Sequence, residues 1–217
     1  FTIVLGYKWL PNLFETLGDY ALPVAACIGG WLVTAILYNF SKSRHSISIS
    51  SMLLIGIAIN AFTGAMIGLL TFIASETELR SLTFWSMGSL GGFNYHKIAI
   101  LAGIQAVIIP FLLLKAREMN AMLLGEREAR HLGVHVEKLK KQQIWGVAIM
   151  TGSAVAFSGG IGFVGLVIPH LIRILFGSDN RFVLPLSYLL GGMLLMVADA
   201  RLQLAVVPSD LADREHV

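Results

Sequence analysis

Long stretches without a charged side chain constrain this sequence more than any other feature. Residues 20–41 and 46–75 contain no Asp, Glu, Lys or Arg. At about 1.5 Å of rise per residue, a helix of either length crosses the ~30 Å hydrocarbon core of a bilayer. A third such stretch, residues 98–114, lies between Lys97 and Lys115 and contains Pro110, which neighbouring groups can accommodate in a membrane helix. These patterns predict three membrane spans.

The remainder of the chain continues the helical pattern with interruptions. Residues 142–172 are uncharged but broken by a glycine-rich turn at 158–162, which predicts a helix followed by a shorter one. Residues 182–198 predict a last span, followed by a polar tail. The amphipathic segment 76–95 suits an interfacial helix and a turn. The predicted fold class is all-α, a polytopic transmembrane helical bundle of about six spans or half-spans.

Composition supports the membrane interpretation and excludes other classes. Hydrophobic residues make up 56% of the chain and charged residues 13%, whereas an average soluble domain has about 25% charged residues. The net charge of +3 does not indicate nucleic-acid binding, because the basic residues stand at the ends of apolar segments and not along one face. The single cysteine, Cys27, excludes an internal disulfide and is read as a small buried hydrophobe.

The distribution of Lys and Arg predicts the orientation of the spans. Alternating the spans places eleven of the 16 basic residues on one side, which is then expected to be cytoplasmic. This set is Lys42, Arg44, Lys115, Arg117, Arg127, Arg130, Lys138, Lys140, Lys141, Arg173 and Arg181. The other side receives Lys8, Arg80, Lys97, Arg201 and Arg214. The long hydrophilic segment 115–143 is therefore predicted to be a cytoplasmic, largely helical element.

Catalytic and metal-binding patterns are weak. A phosphate-binding Gly-x-x-x-x-Gly-Lys-Ser/Thr loop does not occur in the sequence, so any ATP has to be handled by a partner. His131 and His135 stand four residues apart without the carboxylate and further ligands of a zinc site. Ser158, with His170 in the next segment, leaves open a distant alternative, an intramembrane serine hydrolase, although no third orienting group accompanies the pair.

Four ordered motifs resemble one protein family. They are residues 84–90 (Phe-Trp-Ser-Met-Gly-Ser-Leu), 123–134 (Leu-Leu-Gly-Glu-Arg-Glu-Ala-Arg-His-Leu-Gly-Val), 160–173 (Gly-Ile-Gly-Phe-Val-Gly-Leu-Val-Ile-Pro-His-Leu-Ile-Arg), and Leu-Pro-Leu at 184–186 with Ala198-Asp199. In order and spacing they are similar to the vitamin B12 and iron-chelate permeases, the membrane subunits of type II ABC importers. The resemblance covers roughly residues 22–211, with a departure after Asp199.

The resemblance implies an architecture and a set of partners. It implies ten spans per subunit, a homodimer around a central pathway, two ATPase subunits at the cytoplasmic face and a periplasmic or lipid-anchored substrate-binding protein. The expected location is the bacterial cytoplasmic (inner) membrane, as a multi-pass protein in contact with lipid. Residues 1–217 are then a single permease domain, with segment 115–143 as its cytoplasmic coupling segment. Aligned on the motifs, the chain is expected to be truncated at both ends and to begin at the fourth span.

The resemblance also implies site residues and a cargo. ATPase coupling is assigned to Gly125, Glu126, Glu128, Ala129, Arg130, Leu132 and Gly133. The membrane motif consists of Gly162, Phe163, Gly165, Pro169, His170 and Arg173. Residues 120–134 and 85–92 look most like the haem-importing branch, with ferric siderophores and vitamin B12 as alternatives. The expected subunit is a transport component and not an enzyme, with no permanently bound cofactor or metal, ATP in the partner and an iron chelate as cargo.

Overall fold

A computed structural model describes residues 2–6, 16–41 and 48–212. Of the basic residues used to predict the orientation, Lys8, Lys42, Arg44 and Arg214 lie outside these ranges. All regular structure in the described residues is helical, which confirms the predicted all-α class. Short helical turns at Thr2–Gly6 and Gly18–Tyr20 precede nine α-helices. The helices are α1 Ala21–Ser41, α2 Ile49–Ile73, α3 Glu76–Met87, α4 Tyr95–Leu114, α5 Ala116–Met122, α6 Glu126–His131, α7 Val136–Ser158, α8 Val164–Phe176 and α9 Asn180–Ala212.

Among the described residues, four helices are long and apolar enough to cross a membrane. They are α1, α2, α4 and the Asn180–Arg201 part of α9. Within the described structure only 6–11% of each span is buried. An apolar surface of this extent is stable against lipid or further protein and not against water. The predicted polytopic bundle is therefore confirmed.

Polar side chains cap the starts of α2, α3 and α4. The Ser48 hydroxyl accepts a hydrogen bond from the Ser51 amide at 3.3 Å, and the Asn94 side chain accepts one from the Lys97 amide at 2.9 Å. At α3 the Ser75 amide donates to the Glu78 carboxylate at 2.7 Å. Each contact satisfies a backbone or cap group that the helix leaves free at its start. The interfacial helix predicted within residues 76–95 thus begins at Glu76 and ends at Met87.

Two helix boundaries differ from the sequence prediction by more than three residues. Helix α7 begins at Val136, inside the hydrophilic segment, so the last residues of that segment form the first two turns of a long helix. Helix α9 continues to Ala212, although a polar tail was expected after Ala198. Residues 201–205 are Arg, Leu, Gln, Leu and Ala, all strong helix formers, so the backbone keeps its hydrogen bonding after the apolar run has ended.

The chain divides into two compact units, residues 1–161 and 162–217. In the first unit α7 packs against α1 and α4, and α2 packs against α1. Gly146 allows a close approach between α4 and α7, since a Cβ at this position would lie 2.8 Å from Leu112 Cδ2. In α2, by contrast, no described atom lies within 4 Å of a Cβ built on Gly64 or Gly68, so no described helix approaches α2 closely at these two positions.

The second unit is a pair of packed helices, α8 and α9. Its core is formed by Ile168, Ile172 and Val183, with Val164, Leu186 and Leu190 packed around them. Ile168 and Ile172 stand four residues apart on one face of α8, as the helical period requires. The prediction that residues 1–217 form a single domain stays a prediction.

Candidate functional site

The predicted coupling segment is a pair of short helices, α5 and α6, attached to the start of α7. A sharp backbone turn at Gly125, with a φ of 112°, separates α5 from α6. After α6 the Gly133 amide donates to the Arg130 carbonyl and the Val134 amide to the Ala129 carbonyl, both at 3.0 Å. These bonds satisfy carbonyls that the end of α6 would otherwise leave free. The two predicted glycines therefore bracket a short, well-terminated helix.

An ion-pair network joins α6 to α7. Lys140 Nζ lies 2.7 Å from Glu126 Oε1 and 3.8 Å from Glu137 Oε1. Arg130 lies 3.9 Å from Glu126 and 3.7 Å from Glu137. The side chain of Lys140 is only 8% exposed, and a charge this buried is stable only with such partners. Lys140 was predicted as one charge among many in the segment, and its pairing across fourteen positions has no periodic signal in the sequence.

The predicted coupling residues divide into an exposed and an inward-facing group. Ala129 is fully buried, and Glu126 is tied to Lys140, so these two hold α6 in place. Glu128, Arg130, Leu132 and Gly133 are exposed. The exposed group provides the surface that a partner could contact.

Two leucines that precede α6 enlarge this surface. Leu123 and Leu124 are 53% and 67% exposed, and Leu132 on the other side of α6 is 64% exposed. Large apolar side chains exposed beside charges are typical of a protein-protein contact. Leu123 and Leu124 lie in the motif that carried the family resemblance but were not assigned a role from sequence.

The predicted membrane motif lies around the start of α8. Phe163 precedes the helix with a φ of 64° and a side chain 84% exposed. A left-handed backbone at a bulky residue is uncommon and costs energy. Pro169 lies inside α8, His170 is exposed, and the Arg173 guanidinium donates to the Asn180 side chain at 3.4 Å. Gly162 and Gly165 have no described atom within 4 Å of an added Cβ.

A backbone contact between the end of α3 and the end of α7 was not predicted. The Ser89 amide donates to the Ser158 carbonyl at 2.8 Å, and the Gly160 amide donates to the Trp85 carbonyl at 3.3 Å. Gly159 has a φ of 73°, and an added Cβ there would collide with the Trp85 carbonyl oxygen. We call this contact the glycine clasp. It joins two of the four family motifs, a relation that no pattern within either motif reveals.

The described residues offer little for catalysis or metal binding. Among them no group of three or more His, Cys, Asp or Glu side chains could hold a metal ion. The Ser158 hydroxyl is hydrogen-bonded to the Ala154 carbonyl at 2.9 Å, with the Gly159 carbonyl also within 3.3 Å. A nucleophilic serine needs a base to accept its proton, so this engagement disfavours the hydrolase alternative.

Known proteins with similar sequences are transport proteins. Residues 1–212 match the FecCD transport family, a match that begins before residue 22 and continues past Asp199. The chain is 40% identical over 209 residues to the hemin transport system permease protein HmuU of Yersinia pestis, covering 96% of this chain and 61% of that relative. It is 38% identical over 205 residues to the vitamin B12 import system permease protein BtuC of Vibrio vulnificus strain CMCP6, covering 90% and 61%. The chain thus spans about three fifths of the length of these relatives.

A solved structure has the same helical arrangement. It is an inward-facing conformation of a metal-chelate type ABC transporter, with a TM-score of 0.77 and 30% sequence identity over 91% of this chain and 64% of that one. The family match covers all four sequence motifs, and these relatives and the solved structure each cover at least 90% of this chain. This chain therefore belongs to the FecCD transport family.

Proposed function

We propose that this chain is the membrane-spanning permease subunit of an ATP-driven importer that moves an iron chelate across the bacterial cytoplasmic membrane. The observation that carries the proposal is the family match over residues 1–212, in a chain with four helices suited to crossing a membrane. The subunit contributes the pathway and leaves the chemistry to its partners. In the complete assembly two copies of the permease form the pathway, and a substrate-binding protein delivers the cargo from outside.

ATP is hydrolysed by two partner subunits at the cytoplasmic face. The sequence lacks the phosphate-binding loop that hydrolysis would require, while the exposed residues of α6 and its flanking leucines form a surface that such a partner could bind. Nucleotide-driven movement of the partner would displace α6. The pairing of Lys140 with Glu126 would pass this displacement to α7 and so bias the spans between two arrangements.

Haem is the preferred cargo, and vitamin B12 or a ferric siderophore is the alternative. A relative named for hemin transport is 40% identical, and one named for vitamin B12 import is 38% identical. The margin between these two relatives is small. Preference for haem therefore also rests on the resemblance of residues 120–134 and 85–92 to the haem-importing branch. All three cargoes are large chelates that a binding protein presents.

Reconstitution tests the proposal directly. The protein is combined with its candidate ATPase subunits in proteoliposomes, and ATP hydrolysis is measured with haem-loaded binding protein, with cobalamin-loaded binding protein and with neither. Stimulation by the haem-loaded protein alone supports both the class and the cargo. Complex formation with stimulation by cobalamin alone keeps the importer and changes the cargo. Absence of any ATPase association refutes the importer function.

The docking surface is tested in the same system with matched variants. Arg130→Ala removes an exposed guanidinium from α6 and leaves Lys140 paired with Glu126 and Glu137, so α6 stays joined to α7. Arg181→Ala removes a guanidinium from an exposed position outside the segment. We expect Arg130→Ala to abolish stimulation while basal hydrolysis by the ATPase persists, and Arg181→Ala to behave as the natural protein. Equal stimulation in the two variants would contradict the assignment of α6 as the docking element.

A further inference from the structure

One face of α7 forms an apolar groove with α4 that ends in two lysines. Lys138, Lys141, Gln142, Trp145 and Ile149 line it from α7, and Ile108 and Phe111 are among the lining residues from α4; the groove has a volume of about 390 Å³. The α7 residues follow the spacing i, i+3, i+4, i+7 and i+11, which places them in one row along the helix. The row is about 16 Å long at 1.5 Å per residue.

The groove changes from polar to apolar along its length. Lys138, Lys141 and Gln142 stand at one end, near the start of α7, and Ile108 and Ile149 stand at the other. Gly146, whose missing side chain lets Leu112 approach, lies between the polar and apolar ends and forms part of the lining of the groove. A phospholipid has the same polarity sequence, from a charged headgroup to an acyl chain.

The charges at the polar end favour an anionic ligand. Neither lysine has a carboxylate partner among residues 2–6, 16–41 and 48–212, and no Asp or Glu lines the groove. Both lysines are exposed. Lys141 Nζ lies 5.9 Å from the centre of the Tyr38 ring, and this cation-π contact holds it beside the groove. The two ammonium groups can therefore bind a phosphate without first losing an internal ion pair.

Aromatic rings indicate the depth of the groove in the bilayer. Trp145 lies in its wall, 5.9 Å from the Trp31 ring and 6.4 Å from the Tyr38 ring. Tryptophan and tyrosine concentrate at the level of the headgroups. Phe111 is one turn from the end of α4, where the charged segment begins at Lys115. The polar end thus lies at the membrane boundary, on the side that the basic residues mark as cytoplasmic.

We propose that the groove between α4 and α7 binds one anionic phospholipid of the cytoplasmic leaflet, with its phosphate between Lys138 and Lys141 and an acyl chain along Ile108 and Ile149. Basic pockets between helices on this side of a membrane bind anionic headgroups. Another protein helix is a poorer occupant, because it would have to bring its own acidic residues to both lysines. The inference requires only that the chain spans a membrane and does not depend on its cargo.

Native mass spectrometry of the protein purified from bacterial membranes and delipidated in detergent tests the proposal. Phosphatidylglycerol is titrated in, with phosphatidylcholine as the neutral comparison. One tight phosphatidylglycerol site is expected, because each lysine near a headgroup contributes about fivefold in affinity. Equal binding of the two lipids would overturn the proposal, because the groove would then be a general apolar surface. Absence of any tight phosphatidylglycerol site would overturn it as well.

Variants separate the two ends of the site. The double variant Lys138→Gln with Lys141→Gln should lose roughly 30-fold in affinity for phosphatidylglycerol, while Arg127→Gln with Arg181→Gln removes the same net charge elsewhere and should change affinity less than twofold. Ile108→Trp fills the apolar end without altering charge and should also weaken binding at least tenfold. Retained tight binding in both the lysine and the tryptophan variants would overturn the assignment. Circular dichroism and thermal melting confirm that each variant is folded.

Discussion

Replacing Gly159 by alanine should open the glycine clasp. Gly159 has a φ of 73° and a ψ of −166°, a backbone conformation that residues other than glycine adopt only at a cost of about 1–3 kcal/mol. The new Cβ would also collide with the Trp85 carbonyl oxygen, which belongs to backbone and cannot rotate away. Separation of the two helix ends would lose the hydrogen bonds from Ser89 and Gly160, each worth about 1 kcal/mol. The expected local destabilisation is therefore about 3–5 kcal/mol.

Hydrogen exchange measures this effect where it occurs. The Ser89 amide is protected by the Ser158 carbonyl at 2.8 Å, so exchange of a peptide containing Ser89 should accelerate by about 100-fold or more in the variant. Gly160→Ala is the matched control. Its Cβ would lie 3.4 Å from the Ser86 carbonyl oxygen, an ordinary contact, and its backbone is not left-handed.

The comparison of Gly159→Ala with Gly160→Ala tests whether the clasp holds the ends of α3 and α7 together. Gly160→Ala should exchange within about threefold of the natural protein, since no hydrogen bond of the clasp is lost. If Gly159→Ala also retains natural exchange at Ser89 and an unchanged melting temperature, the clasp does not hold the two helix ends together. The energetic argument would then be wrong.

Three further predictions concern single side chains. Lys140→Met should lower the free energy of unfolding of the coupling segment by about 1.5–3 kcal/mol, because Glu126 and Glu137 lose the buried one of their two shared cations. The exposed Lys138→Met should change melting in detergent little, and equal shifts in the two variants would contradict the network. Phe163→Gly should be more stable than Phe163→Ala by about 1 kcal/mol, the reverse of the usual helix order, because the backbone there is left-handed. Thermal melting that ranks the two variants in the opposite order would show that the backbone at Phe163 is not strained. Ser158→Ala should cost below about 1 kcal/mol in the same assay, since the hydroxyl bonds only to carbonyls, and the natural protein should not react with a serine-directed covalent probe.

The sequence was sufficient for elements that depend on local chemistry. The first span was predicted at residues 20–41 and observed at Ala21–Ser41, and the break at 158–162 separates α7 from α8 as expected. A run of apolar residues between charges can satisfy its backbone in a membrane only as a helix. The interfacial helix α3 followed from its amphipathic pattern, and the capping box formed by Ser75 and Glu78 was found only in the structure.

Contacts between distant parts of the chain were beyond the sequence. The glycine clasp pairs Trp85 and Ser89 with residues about seventy positions away, and neither partner carries a mark of the other. In the sequence Lys140 is one of several basic residues, although among the described ones it alone is buried, against Glu126. The lipid groove depends on how closely α4 approaches α7 at Gly146, a distance that the packing of the whole unit determines. The roles of the predicted coupling and membrane-motif residues remain predictions.

Helix α7 is fixed at both of its ends. Its first turns are bonded to α6 through Lys140, and its last residue accepts a hydrogen bond from Ser89 after α3. Between these points run 23 residues without a proline, a helix about 34 Å long at 1.5 Å per residue. Because α7 has no proline to kink it, we predict that a displacement of α6 is transmitted along α7 to the end of α3.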